Sequence, residues 1–246
     1  MCYLVSIVYA ISSIVKYRQK KIHALQLKEL KQLQQKANLE LSALRAQFNP
    51  HFVFNVLNSI QGIILCQDEE KAIIYLNDFA KLMRMVLNHS REKTIYLNDE
   101  LEFLKLYINL EQLRFEDNFK FDLELADNIS VNGTKVPPLI LQPYIENAIK
   151  HGLLNRGKGG KLSLRIYKEN DFLKCTIIDN GVGRKKANAK KDKAHTSKGL
   201  LMMQERIDYL NMAYSTNDFS HKISDHVNKD SIEEGTEVKL VIPLNL

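Results

Sequence analysis

The feature that most constrains this chain is segment 47–58, with the sequence Gln-Phe-Asn-Pro-His-Phe-Val-Phe-Asn-Val-Leu-Asn. Asparagine can cap a helix, and proline is favoured in the first turn, where its missing N–H would have no partner. The segment therefore predicts a helix that begins at about Pro50. Its polar residues recur at intervals of four, three and four and so form one stripe, which consists of His51, Asn55, Asn58 and Gly62. Since nearly all other positions are apolar, we expect neighbours to bury this helix in a bundle that leaves His51 open to a reactant.

A histidine on such a stripe has an ordinary explanation as well as a chemical one. Taken alone, His51 is most simply a polar histidine of a bundle, because histidine serves many roles. As a nucleophile it would have to be neutral, and another group would have to orient the ring or accept its second proton. Asn55, one turn further on, can orient the ring but is a poor base, and the sequence does not identify the base.

Two later segments also concentrate polar residues and glycines. Residues 141–152, Leu-Gln-Pro-Tyr-Ile-Glu-Asn-Ala-Ile-Lys-His-Gly, predict a helix with one apolar and one polar face. Residues 179–183, Asp-Asn-Gly-Val-Gly, follow a predicted strand, and glycines permit tight geometry and the close approach of a base. Each segment also has a plain alternative: Glu146 and Lys150 could be a surface ion pair, and the glycine segment could be a hairpin turn.

Together the three segments resemble the conserved boxes of LytS/YehU-type sensor histidine kinases. Segment 47–58 resembles their phospho-acceptor box, segment 141–152 their N box and segment 179–183 their first glycine box. The resemblance runs from about Leu44 to Pro243, roughly four-fifths of the chain. Three boxes in the correct order are more specific than any one of them.

The resemblance implies ATP and Mg²⁺ as cofactors and His51 and Asn55 as catalytic residues, with His51 the phospho-acceptor. The implied nucleotide-binding residues are Glu146, Asn147, Lys150, His151, Asp179, Gly181, Gly183, Gly199 and Leu200. The resemblance assigns Mg²⁺ to the amide oxygen of Asn147, and hard oxygen ligands suit that ion. The Asp179 carboxylate can accept a hydrogen bond from the exocyclic amine of adenine, and Lys150 and His151 can reach phosphate oxygens.

The chain departs from the family pattern in two places. The second glycine box, usually Gly-x-Gly-Leu, reads Ser-Lys-Gly-Leu at 197–200, and Met202 replaces the usual asparagine, whereas Glu205-Arg206 and Gly235-Thr236 are kept. The N–H groups at the start of the Leu200 helix can still bind phosphate, but the loss of one glycine is expected to stiffen the lid and lower ATP affinity or rate. In addition, Phe52 follows His51 where many histidine kinases have an acidic residue.

The positive charge of the chain is local. Residues 16–36 hold seven Lys/Arg and one Glu, and residues 184–198 hold seven Lys/Arg and one Asp, so the remainder of this +6 chain carries −6. This argues for two separate anion sites and against direct nucleic-acid binding over the fold. Segment 184–198 is polar and aperiodic, as expected of a mobile lid over a triphosphate; the alternative is a solvated loop. The three cysteines match neither a metal site nor a disulfide framework, which favours a reducing compartment.

The N-terminal part of the chain is predicted to be membrane-proximal. Residues 1–15 carry no charge and basic residues follow at once, so we expect a partial transmembrane anchor with its basic end in the cytoplasm; a buried or fraying helix is the alternative. Residues 16–43 are expected to form a basic juxtamembrane coiled linker, because a seam with intervals of three and four runs from Leu27 to Phe48 and is apolar except at Gln34. The alternative is a solvated helix of a single chain.

The remaining pattern predicts an α+β fold. A second helix carries the seam Ile73, Leu76, Ala80, Met83 and Leu87, which makes a hairpin with the first. A third helix is capped by 98–100, strands follow at 119–125, 162–167, 173–178 and 235–243, and a helix runs from Leu200 to about Met212. Together with the resemblance, this pattern predicts that residues 44–117 are the helical-hairpin dimerisation and phospho-acceptor region and that 118–246 are a two-layer α/β sandwich. The latter resembles the ATP-binding domain shared by histidine kinases, Hsp90, gyrase and MutL.

The leading hypothesis is a homodimeric sensor histidine kinase in the cytoplasmic membrane of a bacterium. It would phosphorylate itself on His51 from ATP and pass the phosphoryl group to an aspartate of a response regulator, which the resemblance suggests is of the LytTR type. A catalytically weak or inactive nucleotide-binding scaffold is the alternative, favoured by Ser197 and Met202. ATP hydrolysis for conformational work is a third possibility, weakened by the His51 segment.

Overall fold

The computed structural model describes residues 16, 18–22, 50–115, 118–156, 158–183, 193–227 and 233–245. It does not describe the side chains at 50, 51, 193–200, 227, 233 and 234. The predicted anchor and most of the predicted coiled linker lie outside the described residues. None of the helices that are described is long and apolar enough to cross a membrane.

The chain divides into two compact units, residues 1–52 and 53–246. In the first unit, residues 16 and 18–22 are helical and exposed, and Pro50 begins helix α1. The second unit contains the other described helices and all described strands.

Three long helices precede the sheet. They are α1 (Pro50–Leu65), α2 (Glu69–His89) and α3 (Leu97–Arg114). Helix α1 begins where the proline predicts, and Asp68 caps α2 by accepting the Lys71 N–H at 3.2 Å. Helices α2 and α3 are joined by a hydrogen bond from Asn109 Nδ2 to Asp78 Oδ2 (2.9 Å) and by the ion pair of Lys81 with Glu102.

The predicted seam of α2 faces solvent within this chain. Ile73, Leu76 and Leu87 are at least half exposed, whereas the buried residues of α2 are Ala72, Leu82 and Val86. The physical reason is that α2 has apolar residues on more than one face, so periodicity does not decide which face packs inside the chain. Helix α1 also leaves apolar residues exposed, among them Phe54 and Leu57.

The predicted cap of α3 is wrong. The helix begins at Leu97, Tyr96 occupies the cap position, and no side chain makes the capping bond. Glu100 is instead completely buried and accepts the N–H groups of Leu139 and Leu141, about forty residues further along the chain. An acidic residue in the first turn suits a local cap, but here the long-range bonds satisfy its oxygens.

A mixed five-stranded sheet forms the core of the second unit. Its order is β2-β4-β5-β7-β6, made of β2 (Phe119–Leu125), β4 (Gly160–Glu169), β5 (Phe172–Asp179), β6 (Ser220–Val227) and β7 (Glu233–Pro243). Strands β2 and β4 are parallel and the other pairs antiparallel. Two short strands, β1 (Ile95–Tyr96) and β3 (Lys135–Val136), pair separately.

Helical segments pack on this sheet and confirm the predicted α+β class. The connection between parallel β2 and β4 contains α4 (Gln142–Asn147), which continues as a π-helix over Ala148–Leu153. We call residues 142–153 the N-box helix. Its π-helical part contacts β4, β5 and β7.

Helix α5 (Lys193–Ala213) and strand β6 differ from the prediction. The helix begins about seven residues earlier than predicted, because lysine and alanine favour helix and no proline interrupts the segment. Strand β6 was not predicted, since its sequence Ser-His-Lys-Ile-Ser-Asp-His-Val has few apolar residues. Pairing with β7 at the edge of the sheet stabilises this strand despite its polar sequence.

Candidate functional site

The N-box helix has the two faces that its sequence predicts. Buried residues face the sheet side, and they are Tyr144, Ile145, Ala148, Ile149, Gly152 and Leu153. Glu146, Asn147 and Lys150 are half-buried on the polar face, and His151 is exposed. The π-helical second half was not predicted; such segments are rare and often occur at functional sites.

Glu146 and Lys150, one helical turn apart, form an ion pair, which is the contact that the alternative interpretation of this segment predicts. A second pair stands near it on α3, where Arg114 Nη1 lies 2.9 Å from Glu111 Oε2 and Tyr107 donates to Glu111 Oε1 at 3.2 Å. Burial raises the pKa of Glu111, while the charges of Arg114 and Lys150 lower it. The ion pair of the N-box helix is thus part of a larger charged cluster that includes α3.

Asp179 is the buried acid of the site. Its side chain is only 2% exposed at the end of β5, and its Oδ1 accepts the Gly181 N–H at 2.9 Å. The backbone and hydroxyl of Thr236, its neighbour on β7, also bond to the carboxyl group. Burial raises the pKa of Asp179 to about 6, against the opposing effect of these hydrogen bonds.

Three glycines enclose Asp179. A Cβ on Gly152 would lie 2.4 Å from the Asp179 Oδ1, and a Cβ on Gly181 would lie 2.3 Å from the Gly152 Cα. Gly235 has a φ of +97°, and a Cβ there would lie 1.8 Å from the Asp179 carbonyl oxygen. Any side chain at these positions would displace the carboxyl group or its strand, so the glycines are required by close approach.

The first glycine box closes directly against the end of the N-box helix. The Val182 N–H donates to the Gly152 carbonyl at 3.3 Å, and Gly183 adopts a φ of +75°. Asn180 joins the same box to the start of β4. Its Oδ1 accepts the Lys161 N–H at 2.6 Å, and its Nδ2 donates to the Gly159 carbonyl at 3.2 Å. The segments predicted as N box and first glycine box therefore meet around one carboxyl group.

Helix α5 reaches the same N-box helix from another side. The Asn147 Nδ2 donates to the Met203 Sδ at 3.4 Å, so this bond uses the amide nitrogen and not the oxygen that would bind a metal. In the part of the chain that the structure describes, no cluster of three or more His, Cys, Asp or Glu could hold a metal ion by itself. Mg²⁺ commonly combines a few protein oxygen ligands with phosphate oxygens of a bound nucleotide.

The predicted stiff loop at the second glycine box is helical instead. Residues 193–200, including Ser197, Gly199 and Leu200, belong to α5, while residues 184–192 of the predicted lid lie outside the described residues. A helical residue has a negative φ, which serine adopts as readily as glycine. Ser197 therefore imposes no backbone restriction in this conformation.

Changing Ser197 to glycine should consequently not raise ATP affinity. We expect the free energy of unfolding to fall by roughly 0.5 kcal/mol, since glycine is the poorer helix former. Urea unfolding and ATP titration of the full chain measure the two effects. As a matched control, Gly199→Ala should raise the free energy of unfolding by about 1 kcal/mol. Tighter ATP binding by Ser197→Gly would mean that the first turns of α5 unwind when the nucleotide binds.

The predicted catalytic residues lie on α1. His51 is in its first turn and within the first compact unit, and Asn55 is half-buried one turn later, where its carbonyl accepts the Ser59 hydroxyl at 3.0 Å. Sequence reasoning assigned no role to Gly152 and Thr236, which border Asp179. Both belong to segments already noted, but only their proximity to the carboxyl group reveals a role.

Comparison with known proteins agrees with these segments. Residues 39–119 match the family described as Histidine kinase. Sensor protein LytS of Staphylococcus saprophyticus is 32% identical over 211 residues, which cover 83% of this chain and 34% of that protein. The sensor histidine kinase/phosphatase LytS of Staphylococcus aureus is 34% identical over 157 residues, which cover 63% of this chain and 26% of that protein.

Among solved structures, a histidine kinase domain from a blue-light activated histidine kinase of Erythrobacter litoralis aligns with 83% of this chain and 93% of that chain. Its sequence identity is 16% and the TM-score is 0.43. The chain spans about a third or less of the length of its LytS relatives. In its sequence, the chain belongs with the LytS-type sensor histidine kinases.

Proposed function

We propose that this chain binds ATP with Mg²⁺ and transfers the γ-phosphoryl group to His51, as a protein-histidine kinase. The observation that carries the proposal is the buried Asp179 carboxyl group, enclosed by glycines where the N box meets the first glycine box. A buried acceptor beside glycine backbone, which a flat group can approach closely, suits the exocyclic amine of adenine. The similarity to LytS supports the same reading of the boxes.

The proposed nucleotide contacts extend from Asp179 along the N-box helix. Gly181 and Gly183 would border the base, and the amide oxygen of Asn147 would bind Mg²⁺ together with phosphate oxygens. Glu146, Lys150 and His151 lie on the half-buried to exposed face of that helix, where their charges suit the phosphates and the ion. The N–H groups around Gly199 and Leu200 would bind phosphate if the first turns of α5 open.

The chemistry at His51 is a substitution at phosphorus. A neutral ring nitrogen of His51 would form the P–N bond as the bond from phosphorus to the bridging oxygen breaks, which leaves ADP. The proton of the other ring nitrogen would be held or accepted by a group that the described residues do not identify. Asn55 would orient the ring. ATP supplies the phosphoryl group, and Mg²⁺ neutralises charge on the phosphates when it is bound.

We further propose a homodimer, formed through the helical region 44–117. The large apolar side chains that α1 and α2 leave exposed support this, since burial against a second copy would remove them from water. The catalytic region would be 118–246, preceded by a partial membrane anchor (1–15) and a coiled linker (16–43) in a bacterial cytoplasmic membrane. The phosphoryl group would pass from His51 to an aspartate of a response regulator of the LytTR type.

The test is incubation of the full chain, purified in detergent, with γ-labelled ATP and Mg²⁺. We expect label on the protein that is stable in base and lost in acid, because a P–N bond of phosphohistidine is acid-labile. Label that survives acid would contradict phosphorylation of histidine. Intact ATP binding without any label would favour the inactive scaffold, for which the replacement at Met202 is the specific observation.

A further inference from the structure

The turn that precedes the N-box helix is held from two sides. On one side is Glu100 of α3, whose Oε2 accepts the Leu139 N–H at 2.7 Å and whose Oε1 accepts the Leu141 N–H at 3.0 Å. Both carboxylate oxygens are thus engaged by backbone groups of one turn, at a site without solvent access. Leu139 adopts a φ of +55°, which is uncommon for a leucine and persists only where the surroundings impose it.

On the other side is Arg206 of α5. Its Nη2 donates to the carbonyl oxygens of Pro138 (3.0 Å) and Leu139 (2.9 Å), and its Nε has no hydrogen-bond partner among the described residues. Burial raises the pKa of Glu100 to about 7 and lowers the pKa of Arg206, and the charge of each residue opposes the shift of the other. Two buried side chains therefore hold the same turn: Arg206 binds its carbonyl groups, and Glu100 binds its N–H groups.

This turn leads directly into the half of the N-box helix that carries Asn147. Helix α5 contacts both the turn and this half of the helix. Arg206 donates to the turn, and Met203, about one helical turn earlier in α5, accepts the hydrogen bond of Asn147. The far end of the helix is fixed independently by the bond of Val182 to Gly152, beside Asp179. Loosening the turn should thus move the Asn147 end of the helix relative to α5 while the Asp179 end stays in place.

We infer that Glu100 and Arg206 are positioning residues that set the N-terminal half of the N-box helix against α5 and so govern binding of the magnesium–triphosphate part of the nucleotide. The inference rests on the proposed ATP site. It assigns a positioning role to Arg206, which the sequence marked only as a retained family residue. It also explains why an acid occupies position 100 although the helix cap does not use it.

The inference is tested with Glu100→Gln, Arg206→Met and the double variant in the full chain. Each single variant leaves one buried charge without its partner, and we expect about a tenfold higher Kd for MgATP, with the Kd for adenosine changed less than twofold. In the double variant, the increase in the Kd for MgATP should be smaller than the product of the increases in the two single variants, because neither charge is then left without its partner. Arg206→Lys keeps the charge but not the planar fork and should also weaken MgATP selectively.

Matched controls are Glu102→Gln on α3 and Arg165→Met on β4, both in exposed ion pairs, which should bind both ligands like the parent. If the variants weaken the binding of adenosine and MgATP equally, Glu100 and Arg206 have only a general structural role and the inference is wrong. Unchanged MgATP binding would also contradict it. If the two charge-removing variants fail to fold, Arg206→Lys decides by the same comparison. Parent protein that binds neither ligand would instead refute the proposed function itself.

Discussion

Replacing His51 with glutamine should reduce phosphoryl transfer from ATP to the protein to background. Glutamine is similar in size and polarity, but its amide nitrogen is not a nucleophile, so no P–N bond can form. The nucleotide would bind to residues of the second compact unit, whereas His51 belongs to the first. We therefore expect the Kd for ATP and the dimer mass to be unchanged, as measured by titration and light scattering.

The matched control for this change is His226→Gln, on strand β6, which should be labelled like the parent. The chain has seven histidines, so mapping of the phosphohistidine by mass spectrometry is decisive. Stable label at any other histidine would refute the assignment of His51. Mixing His51→Gln with Asn147→Asp would restore label only if one subunit phosphorylates the other.

Replacing Asp179 with asparagine should weaken ATP and adenosine binding by about 1–3 kcal/mol, or roughly 5- to 150-fold. The carboxylate only accepts hydrogen bonds, whereas an amide can direct a donor at the amine of adenine. Far-ultraviolet circular dichroism should be unchanged, since the two side chains have the same shape. Asp171→Asn, in the exposed turn between β4 and β5, is the matched control and should bind both ligands normally. If Asp179→Asn binds ATP and adenosine as tightly as the parent does, this residue does not recognise adenine.

The same carboxyl group predicts a pH dependence. Because the pKa of Asp179 is about 6 and the ionised form is the acceptor, adenosine affinity should be constant above pH 6 and fall about tenfold for each pH unit below it. Adenosine is the suitable ligand, because it has no phosphate that titrates in this range. Asp179→Asn should abolish this dependence, and a flat profile in the parent would contradict the assignment.

Stability should respond to pH in the opposite sense. The pKa of Asp179 rises from 3.8 in the unfolded chain to about 6 in the fold, so the folded state binds more protons between these values. Its contribution to the free energy of unfolding should fall by about 3 kcal/mol as the pH rises from below 3.8 to above 6. Urea unfolding at several pH values, compared with Asp179→Asn, isolates this contribution.

Much of the architecture was predictable because it depends on local patterns. Proline at position 50 marks the start of α1, and alternating apolar residues mark β2, β4, β5 and most of β7. The two faces of the N-box helix follow from its periodicity in the same way. The boxes themselves were identifiable because each is a contiguous run of residues, and the similarity to LytS confirms the family.

Only the tertiary structure decided which of these residues meet. Glu100 looked like a local cap but bonds to a turn about forty residues away, and the seam of α2 faces solvent although its spacing is regular. Gly152 looked like the end of a motif but is the surface against which Asp179 packs. Periodicity and capping report interactions within a few residues, whereas burial, long-range hydrogen bonds and the pKa of a carboxyl group depend on what the rest of the chain brings beside it.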